Sequence, residues 1–457
     1  MALTDHPKAY GSAAVALAFT AGILITLGAK DLYPDLENRY QQKRRSNARR
    51  AGTKPSDPSR RSSLFWGAPL KLEDHEAQPD DVSMTTTLVS GRDVQGTSDG
   101  IEACIGNTPL IRIASLSEAT GRNILAKAEF LNGAGNSPKD RVALNIIKEA
   151  EEQGLLHPHQ GDTIYEGTVG STGISLAALA RAKGYKAHIC MPDDQSFEKS
   201  DLLLHLGAEV ERVPVQPITS PDHFVNLARR RAKEHASLKA DGSKGFFADQ
   251  FESPSNWRAH FNTTGPEIES QTGGEVHAFV AGAGTGGTIS GVTKYLKEQA
   301  TLASGPPLII LADPQGSGLY NKIRHGVMYS PTEKEGTRRR SQVDSIVEGV
   351  GINRITQNLD EGRDLIDDAV KVTDEQACRM ARWLVQKDGL FIGSSSAVNC
   401  VAAVQAASMV KEGETVVTVL CDPGTRHLSK FYKKIKELGL EEGKVEDLYV
   451  DLGLSRP

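Results

Sequence analysis

The sequence predicts an α/β fold in two lobes, with parallel-rich sheets flanked by helices and an N-terminal transmembrane helix. Short apolar runs alternate with segments of helical spacing along the body of the chain, as is typical of parallel sheets covered by helices. The 457 residues suffice for two packed lobes or domains plus tails. An uncharged stretch, residues 9–29, is long enough to cross a bilayer as a helix.

Residues 9–29 are only moderately apolar, so a signal peptide and a buried soluble helix are the alternatives to a membrane anchor. Against a signal peptide, only Lys8 supplies a fixed positive charge before the stretch. No arginine precedes Arg39, which disfavours a matrix-targeting presequence. Basic residues at 43–45 and 49–50 favour a body that faces the cytosol. We therefore expect an anchor in the mitochondrial outer membrane, with the endoplasmic reticulum as the alternative.

The remaining boundaries follow composition and patterning. Residues 30–99 are rich in Arg, Ser, Pro, Asp and Thr and are predicted to form a flexible basic and polar tether. The predicted divisions are an N-terminal tail (1–8), the anchor (9–29), the tether (30–99), an N-terminal lobe (100–255), a C-terminal lobe (256–440) and a C-terminal tail (441–457). An insert at residues 331–341 is interpreted as a solvated loop, with a partner site as the alternative.

The body contains apolar runs that we predict as strands, with segments of helical spacing between them. Strands are predicted at residues 124–129, 163–166, 186–191, 209–214, 246–248, 276–281, 308–312 and 416–420. Helices are predicted from Lys139 to near Gly154 and at residues 174–183, 200–206, 222–235, 289–297 and 375–387.

Composition excludes several classes of function. A formal net charge of −5 gives no basic surplus that would indicate a nucleic-acid partner. The 5 cysteines are widely scattered and form no Cys-x-x-Cys pair, which argues against a structural zinc site and against a disulfide framework. No metal site is predicted.

The glycine-rich segment Gly284-Thr285-Gly286-Gly287-Thr288 lies between a predicted strand and a predicted helix. Such a turn directs backbone N–H groups and a helix dipole at one point, where a phosphate can bind. It matches neither the nucleoside-triphosphate loop nor Gly-x-Gly-x-x-Gly. A tight turn without a ligand is the alternative.

Lys139 follows Ser137 and Pro138 and is predicted to lie in the first turn of a helix, with Ser137 and Asp140 forming a capping pattern. The positive end of the helix dipole favours an uncharged amine, and an amine that forms a Schiff base needs a lowered pKa. For an arbitrary lysine, a solvated surface side chain is the alternative.

An ordered set of motifs accompanies these two features. They are residues 105–110 (Ile-Gly-Asn-Thr-Pro-Leu), 137–141 (Ser-Pro-Lys-Asp-Arg), 250–256, 263–268, 284–288, 393–396 and 421–426. The set resembles the cysteine synthase/cystathionine β-synthase family of pyridoxal-phosphate enzymes of fold type II. Within that family it is similar to a fungal cysteine synthase-like branch with an N-terminal membrane segment. The resemblance covers residues from about 100 to 435.

The resemblance implies a role for each matching residue. Lys139 would form the Schiff base with pyridoxal 5'-phosphate and move the Cα proton. The segment 284–288 would hold the phosphate, and Ser396 would line the cofactor. The substrate carboxylate would be bound by Thr168, Gly170, Ser171, Thr172 and Gln250. The alternative for the 168–172 segment is a strand-to-helix turn in which Ser171 and Thr172 cap the helix, and both can hold together.

Three departures from the family pattern matter. Ser171 stands where the family usually has an asparagine that contacts the cofactor's ring hydroxyl, so that contact would be water-bridged or lost. The family's Asn-Pro pair is Asn132-Gly133 here, and Pro138 replaces an aliphatic residue. Asp422 falls where a serine commonly faces the ring nitrogen, and its alternative is a surface turn residue.

The function implied by the resemblance is β-replacement, in which O-acetyl-L-serine and sulfide give L-cysteine and acetate through an aminoacrylate. Cystathionine β-synthase, cysteine desulfhydrase and serine/threonine dehydratase use the same fold and are the alternatives. A non-catalytic, membrane-tethered amino-acid sensor is the alternative from another class. The expected partners are the amino-acid substrate, sulfide, the membrane through residues 9–29 and a second copy in a homodimer.

Overall fold

The computed structural model describes residues 100–195, 197–238, 241–328, 345–441 and 445–456. The predicted anchor, the tether and the 331–341 insert lie outside these residues. Among the described helices, none is both long and apolar enough to cross a membrane. The predicted fold class is therefore corrected to its α/β part, since the residues 9–29 on which the membrane helix rested are rich in Ala, Gly and Thr and only moderately apolar.

The described residues form ten strands in two sheets. The strands are β1 (Leu110–Arg112), β2 (Asn123–Ala128), β3 (Thr163–Gly167), β4 (Lys186–Pro192), β5 (Glu209–Val213), β6 (Gly245–Phe247), β7 (Ala278–Gly282), β8 (Leu308–Pro314), β9 (Asp368–Val372) and β10 (Thr415–Leu420). One sheet has the order β1-β2-β10-β7-β8-β9 and the other β5-β4-β3-β6. All neighbouring strands are parallel except β1 and β2, which confirms the predicted parallel-rich sheets.

Helices cover both sheets, because the crossover connections that join parallel strands are usually helical. They are α1 (Ala114–Thr120), α2 (Lys139–Glu152), α3 (Ser171–Lys183), α4 (Phe197–His205), α5 (Phe224–Leu238), α6 (Ser255–Ala259), α7 (Gly265–Thr272), α8 (Gly287–Glu298), α9 (Leu319–His325), α10 (Gln357–Arg363), α11 (Asp374–Asp388), α12 (Ser394–Ala407), α13 (Lys433–Glu437) and α14 (Leu448–Leu452).

The two sheets define the two lobes. Strands β3 to β6 form the smaller lobe, whose core includes Ile146 of α2, Leu176 of α3 and Ile189 of β4. Strands β1 and β2 pair into the larger sheet, although the predicted boundaries place residues 100–255 in a single lobe. The larger sheet is buried on both faces, because alternate residues of β7 enter different cores.

A buried ionic cluster joins the two lobes. Arg141 of α2 donates two hydrogen bonds of 2.8 Å to the carboxylate of Glu129, which follows β2. The same guanidinium reaches Glu267 of α7 at 2.5 Å and 2.8 Å. Lys127 of β2 completes the cluster at 2.5 Å from Glu267. Arg141, Glu129 and Lys127 are almost fully buried, so each charge depends on its partners.

We expect that Glu129→Gln destabilises the protein by about 3–5 kcal/mol, since it leaves Arg141 without its main counter-charge in a buried site. Although burial opposes the carboxylate charge, Arg141 holds the pKa of Glu129 at about 2. The stabilisation from this pair is therefore present above the usual glutamate range and is lost as the pH falls through about 2. Urea unfolding at several pH values measures both effects.

The matched control is Glu375→Gln, which breaks the exposed pair between Glu375 and Arg379 on α11. Exposed pairs of this kind contribute about 0.5 kcal/mol. Equal losses for the two variants would contradict the importance of the buried cluster.

Candidate active site

A cavity of about 840 Å³ brings most of the predicted site residues together. Its lining includes Lys139, Gln250 and Asp422, together with Thr168, Gly170, Ser171 and Thr172 and the loop residues Gly284, Thr285, Gly286 and Thr288. Gly287 and Ser396 do not line it. The residues come from the first turns of α2 and α3 and from loops at the carboxyl ends of β3, β6, β7 and β10, where α/β folds place their ligands.

Lys139 is the first residue of α2, as predicted, and its N–H donates to Ser137 Oγ at 3.3 Å. Asp140 does not complete a capping pattern. Its carboxylate instead accepts the N–H of Gly135 at 2.7 Å and the hydroxyl of Ser175 at 2.5 Å. The predicted capping role is therefore wrong, because Asp140 is used to hold the glycine turn before the helix.

The Lys139 side chain extends into the cavity without an ion pair or a hydrogen bond to any described residue. Burial lowers the pKa of its amine, while the nearby Cys421 and Asp422 oppose that effect. The lowered pKa agrees with the prediction, but its cause is burial rather than the helix dipole alone. An uncharged amine in this position can act as a nucleophile.

The loop from Gly284 to Thr288 connects β7 to α8 and has no room for side chains at its glycines. A Cβ on Gly284 would lie 2.3 Å from the carbonyl oxygen of Gly349. At Gly286, which has φ +87°, it would lie 2.5 Å from Leu359 Cβ. The N–H groups of Gly284, Thr285 and Gly286 donate to no other group in the described part of the chain. They therefore form an anion cradle at the N-terminus of α8.

Two residues behind this loop were missed from the sequence. Asn256 donates from Nδ2 to Thr285 Oγ1 at 3.0 Å. His260 Nε2 lies 3.1 Å from the hydroxyl of Thr288, and burial lowers the pKa of His260 to about 3, so its ring is neutral. Both hold threonines of the cradle in place. Asn256 lies within one of the family motifs, but no spacing rule identifies His260.

The segment from Thr168 to Thr172 joins β3 to α3 on the opposite side of the cavity. The hydroxyl of Thr172 donates to Gln250 Oε1, and Gln250 Nε2 donates to the Gly167 carbonyl at 3.4 Å. A Cβ on Gly170 would meet no atom within 4 Å, so this backbone faces open space. The Ser171 hydroxyl has no hydrogen bond to a described residue. The binding of a substrate carboxylate by this segment stays a prediction.

Asp422 and Ser396, both predicted to contact the cofactor, differ in their positions relative to the cavity. Asp422 lines the cavity, but His427 Nε2 lies 2.9 Å from its Oδ2. Although burial opposes it, the Asp422 carboxylate raises the pKa of His427. The hydroxyl of Ser396 accepts the N–H of Cys421 at 2.8 Å, so Ser396 supports the cavity wall from behind. The contact of Asp422 with a cofactor ring nitrogen stays a prediction.

Comparisons with known proteins agree with this geometry. The family profile described as "Pyridoxal-phosphate dependent enzyme" matches residues 101–422. The chain is 64% identical to "Cysteine synthase 2" of Neurospora crassa, over 99% of this chain and 99% of that protein. It is 59% identical to "Cysteine synthase 2" of Schizosaccharomyces pombe, over 74% of this chain and 84% of that protein.

Among solved structures, the crystal structure of O-ureido-L-serine synthase superposes with a TM-score of 0.63 at 30% identity. The match covers 78% of this chain and 99% of that chain. It includes both lobes, so the two-lobed arrangement is shared.

Glu166 lies buried beneath the substrate side of the cavity, at the end of β3. Its Oε2 accepts the N–H of Gln250 at 3.3 Å, and its Oε1 has no hydrogen-bond partner among the residues that the structure describes. Burial, reinforced by Asp249, raises the pKa of Glu166 to about 8. The carboxyl group is therefore protonated in the folded protein at neutral pH and ionised in the unfolded chain.

We expect that Glu166→Gln becomes increasingly stabilising, relative to the natural chain, as the pH rises. A raised carboxyl pKa favours folding at low pH, and that contribution is lost between about 4.5 and about 8. Glutamine keeps the neutral shape of the protonated acid and removes this dependence. Urea unfolding across the window measures the difference, and a difference that is independent of pH would contradict the assignment.

Proposed function

Since the chain belongs to the cysteine synthase/cystathionine β-synthase family of pyridoxal-phosphate-dependent enzymes, and its activity is that of a cysteine synthase, we propose that the cavity around Lys139 is its active site. The observation that carries this proposal is that one cavity contains both a lysine amine and an anion cradle that have no partner among the described residues.

The residues fit pyridoxal 5'-phosphate. The N–H groups of Gly284, Thr285 and Gly286, with the N-terminus of α8, match a phosphate dianion. Lys139 would hold the group covalently through Nζ, and the Ser171 hydroxyl is available for a ring oxygen. When bound, the cofactor supplies an electrophilic carbonyl and a conjugated ring that accepts electrons from the substrate α-carbon.

The 168–172 segment and Gln250 bind the substrate carboxylate. Backbone amides of the segment provide donors, while the hydroxyl of Thr172 donates to Gln250, which is fixed by its contacts with Thr172, Gly167 and Glu166. A donor set that is already oriented binds an anion without the cost of reorganisation. This contact orients O-acetyl-L-serine so that its α-carbon faces Lys139.

Lys139 moves the proton of the reaction. Its Nζ accepts the proton of the substrate α-carbon and later returns it to the same atom, which needs an amine that is uncharged near neutral pH. Burial favours the uncharged form by lowering the pKa of this amine. In the net reaction the acetoxy group leaves the β-carbon as acetate and sulfide takes its place, giving L-cysteine.

We expect that Lys139→Ala abolishes the visible absorbance of the covalently held cofactor and lowers kcat by about a hundredfold or more, because the group that moves the proton is gone. Absorbance spectra and assays with O-acetyl-L-serine plus sulfide measure the two effects. A variant with the natural spectrum and turnover would overturn the assignment.

The contrasting variant is Gln250→Ala. It removes a hydrogen-bond donor to the substrate carboxylate but leaves Lys139 in place. The absorbance should therefore persist while KM for O-acetyl-L-serine rises by about tenfold or more. This contrast separates substrate binding from cofactor attachment. Loss of absorbance in the Gln250 variant would show that its role is structural.

We also propose that the enzyme acts as a homodimer, as the family resemblance implies. Light scattering of the purified protein would give about twice the chain mass of 49.2 kDa. A single-chain mass at assay concentration would refute the dimer.

A further inference from the structure

A set of metal-binding side chains lies outside the active site, where β4 and β5 run side by side. His188 and Cys190 are two residues apart on β4, so both project from the same face of the sheet. Glu211 of β5 is paired with Cys190 in the parallel register. The imidazole nitrogen, the thiol sulfur and a carboxylate oxygen all lie within 4.8 Å of one another. We propose that these three side chains bind a zinc ion.

The distances suit a tetrahedral ion. His188 Nε2 lies 3.1 Å from Glu211 Oε2, and Cys190 Sγ lies 3.9 Å from the same oxygen. Zinc bonds of the usual lengths to nitrogen, oxygen and sulfur would separate these atoms by roughly 3.3–3.7 Å. The His188 nitrogen and Cys190 Sγ lie within 4.8 Å of each other, so side-chain movements of up to about 1 Å would complete the site, and water would take the fourth position.

Neighbouring groups orient the ligands. The second ring nitrogen of His188, Nδ1, lies 3.1 Å from Glu209 Oε2, so a carboxylate can fix the imidazole while Nε2 binds the ion. Arg231 donates to Glu211 Oε1 at 2.8 Å and to Oε2 at 3.1 Å. The first of these hydrogen bonds is retained when zinc takes Oε2, and the second is exchanged for the metal bond.

The charges also favour a divalent cation. Glu209, Glu211 and a Cys190 thiolate carry three negative charges, whereas Arg231 and Arg230 supply two positive charges. On binding, the Sγ–H proton is released to solvent and the sulfur bonds to zinc.

The site adjoins the substrate side of the cavity. The backbone carbonyl of Cys190 accepts the N–H of Thr168 at 3.0 Å, and Cys190 is paired with Gly167 of β3. Zinc at Cys190 would therefore stabilise the strand ends from which the 168–172 segment begins.

The test uses the full-length holoenzyme with the exposed Cys104 replaced by serine in every variant. Zinc is titrated against a chromophoric chelator, and Co²⁺ difference spectra report thiolate ligation. The expected result is about one zinc per chain, with a thiolate–cobalt band. Cys190→Ser and His188→Gln should abolish tight binding and the cobalt band. Glu209→Gln should weaken zinc binding by about 10–100-fold.

The matched control is His277→Ala. His277 lies 3.9 Å from Glu275 and 3.8 Å from Glu414 but has no thiol beside it. This variant should bind zinc as the parent does. Unaltered zinc binding by Cys190→Ser or His188→Gln, or no stoichiometric zinc in the parent, would overturn the site. Because the readouts are metal affinity and cobalt absorbance, they do not depend on enzymatic turnover.

Discussion

The buried cluster of Arg141, Glu129, Glu267 and Lys127 is the interaction on which the geometry of the cavity depends. Arg141 lies two residues after Lys139, so the helix that presents the lysine is the helix that the larger lobe holds. Since Arg141, Glu129 and Lys127 are buried, the cluster tolerates neither the loss of a partner nor a large displacement. The lysine is thus positioned by electrostatics from one lobe and by packing from the other.

Close packing of backbone is the second requirement of the site. The glycines of the 284–288 loop lie against Gly349, Leu359 and Asn256, which leaves no space for a Cβ and directs the N–H groups to the cavity. The supporting side chains, Asn256 and His260, hold the threonines of the same loop. The cradle is therefore rigid before any anion binds, which reduces the cost of binding.

Much of the fold was predictable because hydrophobic periodicity and residue composition are local properties of the sequence that determine where strands and helices form. The predicted strands all occur within a few residues of their bounds, whereas the short strand β1 and strand β9 were missed. Helix α12 was also missed because it is buried on nearly every side and has no polar face to mark a helical period. Lys139, Gln250 and the glycine loop were found from ordered motifs, but His260 and the Asp422–His427 pair depend on contacts that only the folded chain creates.

The same limit applies to the cluster on β4 and β5. His188, Cys190 and Glu211 meet through strand register, and no sequence spacing of the kind found in zinc fingers marks them. The absence of a Cys-x-x-Cys pair was evidence only against zinc sites whose ligands are close together in the sequence. Metal ligands that lie on neighbouring strands can be recognised only when the register between those strands is known.

The nearly complete burial of helix α12 has a consequence for how this part of the sequence can evolve. Its residues from Ser394 to Val404 are almost all small or β-branched and have contacts on every side. Neutral drift normally proceeds through exposed positions, and this segment offers almost none. Sequence change there would need compensating exchanges in both sheet and helix neighbours, so the segment should diverge slowly.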